Sequence, residues 1–144
     1  MSSNARISLA SFFVISMLSG CAAGHGAPEV SGAWARPGET GMNSAVYFSI
    51  QNTAQEDILL EARGEVAEEI QLHETSIDAA GTASMHHMDE IPVGANQQLE
   101  FSPGGLHVML IRLRQPLAPG DTFDLVLLFL EQGEIHVQVA VENR

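Results

Sequence analysis

Alternation constrains this chain more than any other feature. Ile70 and Leu72 alternate with Gln71 and His73, Phe48 and Ile50 with Tyr47 and Ser49, and Ile135, Val137, Val139 and Val141 with His136, Gln138 and Ala140. Successive side chains on a strand point to opposite faces, so a period of two marks strands that bury one face in a core. Turn signals interrupt the pattern at Arg36 to Gly41, Gln51 to Thr53, Ala79 to Gly81, Pro103 to Gly105, Pro119 to Asp121 and Gln132 to Gly133. No segment of helical length carries an unbroken helical period. Strands are predicted over Val30 to Ala35, Ser44 to Gln51, Ile58 to Arg63, Ala67 to Glu74, Ala83 to Met88, Gln97 to Phe101, Leu106 to Leu113, Thr122 to Leu130 and Glu134 to Val141. Short strands at such spacing predict an all-β fold, an antiparallel Greek-key sandwich or barrel.

The 144 residues, 45% of them apolar, suffice for one domain with one core. Asp+Glu number 18 against Lys+Arg 6, a formal net charge of -12, and all six basic residues are Arg. No basic stripe is available to neutralise phosphates, which argues against nucleic acid as a partner. The acidic residues are scattered, and no carboxylate pair, Ser-His-Asp order, phosphate loop or dinucleotide fingerprint is present. The expectation is a binding protein and not an enzyme.

The lone cysteine cannot form an intramolecular disulfide, a thiolate zinc site or an iron-sulfur cluster. It follows a polar start with Arg6 and an apolar run from Ile7 to Leu18, which is too short to cross a bilayer as a helix. Residues 1–20 therefore read as a signal peptide. Leu18-Ser19-Gly20-Cys21 resembles the lipobox of bacterial lipoproteins, which makes Cys21 the lipidated first residue of a mature periplasmic protein anchored to a membrane. Residues 21–28 then read as a tether, with His25 as a spacer residue, and residues 29–144 as the β domain.

Within that domain, histidine and methionine sit where strands would present them. His107 and Met109 are two apart, so they share one face while Leu106, Val108 and Leu110 take the other. Same-face neighbours lie roughly 7 Å apart along a strand, near enough for an imidazole nitrogen and a thioether sulfur to meet at one ion. His73 is out of phase with Ile70 and Leu72, and Met85-His86-His87-Met88 supplies more soft and borderline donors. Neutral imidazole with thioether favours Cu(I), whereas zinc prefers Cys, His and carboxylate. Trp34 and Tyr47 read as packing residues, and His136 as a solvent-facing strand residue.

Taken together, these residues resemble the periplasmic copper chaperone family called PCuAC, which carries a His, a Met and a His-x-Met in fixed order. Met85 and His107 are separated by 21 residues, as in that family, and His107-Val108-Met109 matches its final element. Leu72-His73-Glu74, Ala33-Trp34-Ala35-Arg36, the stretch from Ala45 to Asn52, Pro103-Gly104-Gly105, Pro116-Leu117 with Gly120-Asp121, and the stretch from Leu127 to Val141 extend the likeness over about residues 30–141. One residue more than usual lies between His73 and Met85, and it is assigned to the Asp78 to Thr82 loop.

The resemblance implies a cupredoxin-like sandwich that is not an enzyme, with Cu(I) held by His73, Met85, His107 and Met109. It further implies a monomer that delivers copper to the binuclear copper centre of cytochrome c oxidase or to an assembly protein. Copper sequestration for tolerance, or a metal-free surface sandwich, are the alternatives. Met88 is a second candidate sulfur, and His86 and His87 are further candidate donors. Met85 and Met88 are three apart and cannot both face the ion on a regular strand. Family spacing selects Met85, since Met88 falls where the family has an apolar residue.

The lipoprotein reading is checked by Cys21→Ser, which is expected to release or misprocess the membrane-bound protein. Unchanged membrane partition, with no lipid on the mature N-terminus, would contradict it.

Overall fold

A computed structural model describes residues 26–144. The signal peptide, Cys21 and His25 lie outside the described residues. Ten strands follow in order: β1 (Glu29–Ala35), β2 (Ser44–Gln51), β3 (Asp57–Arg63), β4 (Ala67–Ile77), β5 (Ala83–His87), β6 (Ile91–Val93), β7 (Gln98–Phe101), β8 (Leu106–Leu113), β9 (Thr122–Phe129) and β10 (Gly133–Val141). The all-β expectation holds, with no helix among the described residues.

The strands form one sheet in the order β5-β4-β8-β7-β2-β1-β10-β9-β3-β6, with β8 also pairing β2. The sheet curls until β3 and β4, distant in that order, come into contact. Inward-facing residues of the two halves then meet. Val46, Phe48, Ile50, Leu72, Val108 and Leu110 come from one half, and Leu59, Leu125, Leu127, Phe129, Val139 and Val141 from the other. Phe48 and Phe101 stack inside, with centroids 4.3 Å apart and planes at 21°.

Two features depart from the sequence reading. β6 was not expected: it has three residues, with Ile91 and Val93 buried on either side of Pro92. Proline is tolerated there because β6 is an edge strand that pairs only with β3. The sheet is also not purely antiparallel. β1 pairs β10 in parallel through Trp34↔Ala140 and Ala35↔Val141, and β7 meets β8 in a single parallel bridge, Phe101↔Leu106.

A bulge positions the outer face. The register of β1 on β2 shifts between Ser31 and Trp34, with Gly32 at φ +63°, a conformation glycine adopts without steric cost. Trp34 then stands opposite Tyr47, their ring centroids 4.7 Å apart. Both are buried, as expected of packing residues, but they form a small cluster with Ala45 that is separate from the main core. That cluster lies on the face of β2 opposite Val46 and Phe48, where it flanks His107 of β8.

Phe48→Ala is expected to destabilise the domain by about 3–5 kcal/mol, the usual range for emptying a fully packed aromatic position. Urea unfolding should show a lower midpoint with an unchanged slope.

Candidate metal centre

β4 is flanked by β8 on one side and β5 on the other, and the two ladders set the site. His73 stands opposite His107 on β8 and opposite His87 on β5. One step along, Thr75 pairs Met85; one step back, Gln71 pairs Met109, which also faces Ala45 of β2. Directly opposed residues and i, i+2 neighbours share a face. His73, His87, Met85, His107 and Met109 therefore lie together on the outer face. Leu72 and Val108, each one residue off, point into the core.

Met88 separates from Met85 as parity requires. It lies just beyond β5, its N–H donates to the Leu72 carbonyl at 2.8 Å, and its side chain packs on the core. His86 stands opposite Glu74 on the other face of β5, with Nε2 3.2 Å from the Ser76 hydroxyl. The β4–β5 register runs unbroken from His73↔His87 to Ile77↔Ala83, so the turn between them absorbs the extra residue. Asp78 Oδ1 closes that turn by accepting the N–H groups of Ala80 and Thr82.

His107 is only 4% exposed although it faces outward. The Pro103-Gly104 turn and Tyr47 wall it in, and together with Arg36, Met85 and Met109 they line a cleft of about 350 Å³. The Tyr47 ring centroid lies 6.3 Å from that of His107, and the Arg36 guanidinium sits 5.6 Å from the same Tyr47 ring. His107 Nδ1 is 3.0 Å from the Gly105 carbonyl. A carbonyl only accepts, so Nδ1 carries the proton and Nε2 keeps a free lone pair. Met85, by contrast, is 50% exposed.

His73 lies behind the cleft, its ring centroid 5.8 Å from His107 and 5.7 Å from His87. Its Nε2 is 2.9 Å from Gln71 Oε1, while its Nδ1 is the one buried side-chain polar atom among the described residues without a hydrogen-bond partner. Burial, and then the neighbouring His107 and His87 imidazoles, push His73 below the ordinary histidine range. A neutral imidazole is the form that can bind a metal. Among the described residues no three His, Cys, Asp or Glu side chains are placed to hold one metal together. Met85 and Met109 are the thioether sulfurs on this face.

His87 is the outer-face donor that the sequence left open. The signal for it was its even spacing from Met85, which places both on one side of β5. Its Nε2 lies 3.5 Å from Asp89 Oδ1 at an exposed position.

The curled β fold is shared with solved structures. The copper-bound PCuAC domain from PmoF2 is 24% identical with a TM-score of 0.68, covering 83% of this chain and 95% of its own. The apo PCuAC domain from PmoF1 is 22% identical with a TM-score of 0.70, covering 83% and 96%. The solution structure of Cu(I)-bound DR1885 from Deinococcus radiodurans is 24% identical with a TM-score of 0.60, covering 78% of each chain. These likenesses bear out the cupredoxin-like PCuAC fold expected from the sequence.

The chain itself belongs to the LpqE-like family, described as "Putative lipoprotein LpqE-like", which it matches over residues 29–141. A Leifsonia xyli protein named "Putative lipoprotein" is 29% identical over 116 residues, or 80% of this chain and 69% of its own length. An uncharacterized Rickettsia prowazekii protein is 31% identical over 117 residues, or 76% of this chain, and the match spans 64% of that protein's length.

The lowered His73 pKa has a testable sign. Between the unfolded value near 6.5 and the lower folded value, the unfolded chain binds more protons, so stability rises with pH across that window. It is lost as pH falls from about 6.5 through the folded value. Histidine NMR titration should place His73 below an unfolded-state histidine, and His73→Gln should flatten the thermal midpoint of the metal-free protein over that window.

Proposed function

We propose that this protein is an extracytoplasmic Cu(I) carrier. In this reading Cys21 anchors it to a membrane, residues 22–28 tether it, and the domain over 29–144 holds one ion through His73, Met85, His107 and Met109. One observation carries the proposal: the imidazoles of His73 and His107 and the thioethers of Met85 and Met109 share one face of adjoining strands, and among the described residues no thiol and no group of three His, Cys, Asp or Glu side chains forms a competing site. The copper-bound PmoF2 and DR1885 domains, which share the fold, support it. The lipoprotein name of the family supports the anchored location.

The chemistry favours cuprous ion as cargo. Thioethers are soft and uncharged, so four neutral donors leave the site with the charge of the ion alone, which suits Cu(I) better than a hard divalent cation. Release requires no catalysis. Met85 is the most exposed of the four donors, so an acceptor's ligand can replace it first, while the buried His107 holds the ion until exchange is complete. The acceptor in this reading is the binuclear copper centre of cytochrome c oxidase or a protein that assembles it, and the carrier acts as a monomer.

One Cu(I) per chain is expected under reducing conditions. His107→Ala combined with Met109→Ala should abolish tight binding while folding is retained, since both side chains point away from the main core. Met85→Leu should remove one sulfur scatterer from the copper X-ray absorption spectrum. Met88→Leu should keep it and cost under ~1.5 kcal/mol as a volume-conserving core swap. Wild-type affinity in the double variant would refute the site. Oxidase activity and growth of a deletion strain at low and high copper distinguish delivery from sequestration.

A further inference from the structure

Beyond the four donors, the outer face carries a line of polar side chains that ends on His73. Arg112 of β8 donates from Nη2 to Glu69 Oε1 at 2.8 Å, and its Nε donates to Glu68 Oε2 at 2.6 Å. Gln71 Nε2 lies 3.3 Å from Glu69 Oε2, and Gln71 Oε1 lies 2.9 Å from His73 Nε2. Glu69, Gln71 and His73 are two apart on β4, so their side chains share the site's face.

The proton positions along this line follow from what each group can do. A carboxylate held by arginine only accepts, so the amide NH2 of Gln71 must face Glu69. The amide oxygen is thereby turned to His73, and the atom it meets must be an N–H. His73 Nε2 consequently carries the single proton of the neutral ring, and Nδ1 carries the bare lone pair. That Nδ1 is the buried atom with no hydrogen-bond partner, an arrangement that costs stability unless an electron-pair acceptor fills it.

The foot of the line is also fixed. Arg112 has φ +54°, in the left-handed region unusual for a residue with a Cβ, and its backbone N–H donates to Asn43 Oδ1 at 3.0 Å. His107 is arranged the opposite way, with Nδ1–H on the Gly105 carbonyl and Nε2 free.

We propose that Gln71 is a positioning residue: backed by Glu69 and Arg112, it holds His73 as the Nε2–H tautomer and so makes Nδ1 the metal-binding atom. The metal half of this proposal rests on the Cu(I) reading above; the tautomer half does not. Hydrogen-bond partners of a ligating histidine fix its ring orientation and tautomer, and their loss typically lowers metal affinity by about 10-fold or more.

The test uses the mature protein in detergent micelles with 15N-labelled histidine. Long-range 1H–15N spectra of the metal-free wild type should show His73 protonated at Nε2, and Cu(I) loading should shift Nδ1 while Nε2–H remains. Gln71→Leu should populate the Nδ1–H form and weaken Cu(I) binding about 10-fold. Exchanging the two groups, Glu69→Gln with Gln71→Glu, should restore both readouts. The carboxylate then accepts from His73 and from the neighbouring amide, whose oxygen accepts from Arg112.

A wild-type His73 protonated at Nδ1, or Cu(I) bound through Nε2, would overturn the proposal. So would a Gln71→Leu protein that loses affinity without any tautomer change, since that marks a merely structural role. If the wild type takes up no Cu(I), the carrier function fails, and the metal-free spectrum alone decides whether the ladder sets the tautomer.

Discussion

The site depends on the register of β4 with its two neighbours. His73 is paired on both sides, and every outer-face donor takes its place from that double pairing. A slip of one residue would turn Leu72 and Val108 to solvent and drive imidazoles into the core. The apolar set on the inner face therefore enforces the polar set on the outer one. Burial of Leu72, Val108 and Leu110 orients the histidines even though those side chains never touch the cleft.

The same division separates the charged groups of an acidic chain from its outer-face imidazoles and thioethers. The charged ladder of Glu68, Glu69 and Arg112 stands at solvent-exposed positions, where its interactions are screened. Around His107, the tyrosine, the tryptophan behind it and the Pro103-Gly104 turn exclude water from one side of the ring. Desolvation disfavours the protonated form of an imidazole, and at His73 burial is the largest cause of the lowered pKa.

Most strands were legible in the sequence because each buries one face, which gives period-two alternation; β2 and β8 have the predicted limits. The His and Met residues stood out for the complementary reason, as polar or soft groups out of phase with that pattern. β6 escaped notice because three residues around Pro92 are too few to alternate. The parallel seam between β1 and β10 was invisible because nothing local encodes a contact between the two ends of the domain. Gln71 looked like an ordinary strand glutamine. Its role depends on Glu69 beside it and Arg112 across the ladder, and neither relation has a one-dimensional signature.

That seam bears on when the protein can become functional. In the hydrogen-bonded order, the half with β4, β5 and β8 joins the half with β9 and β3 only where β1 meets β10. Pairing across so long a stretch of chain has a large closure entropy and slows folding. A chain delivered across a membrane N-terminus first would expose β1 early and wait for the last strand before its core could close. The strands that carry the His and Met side chains would be present well before the scaffold beneath them was complete, an interval in which the open sheet edges stay unpaired.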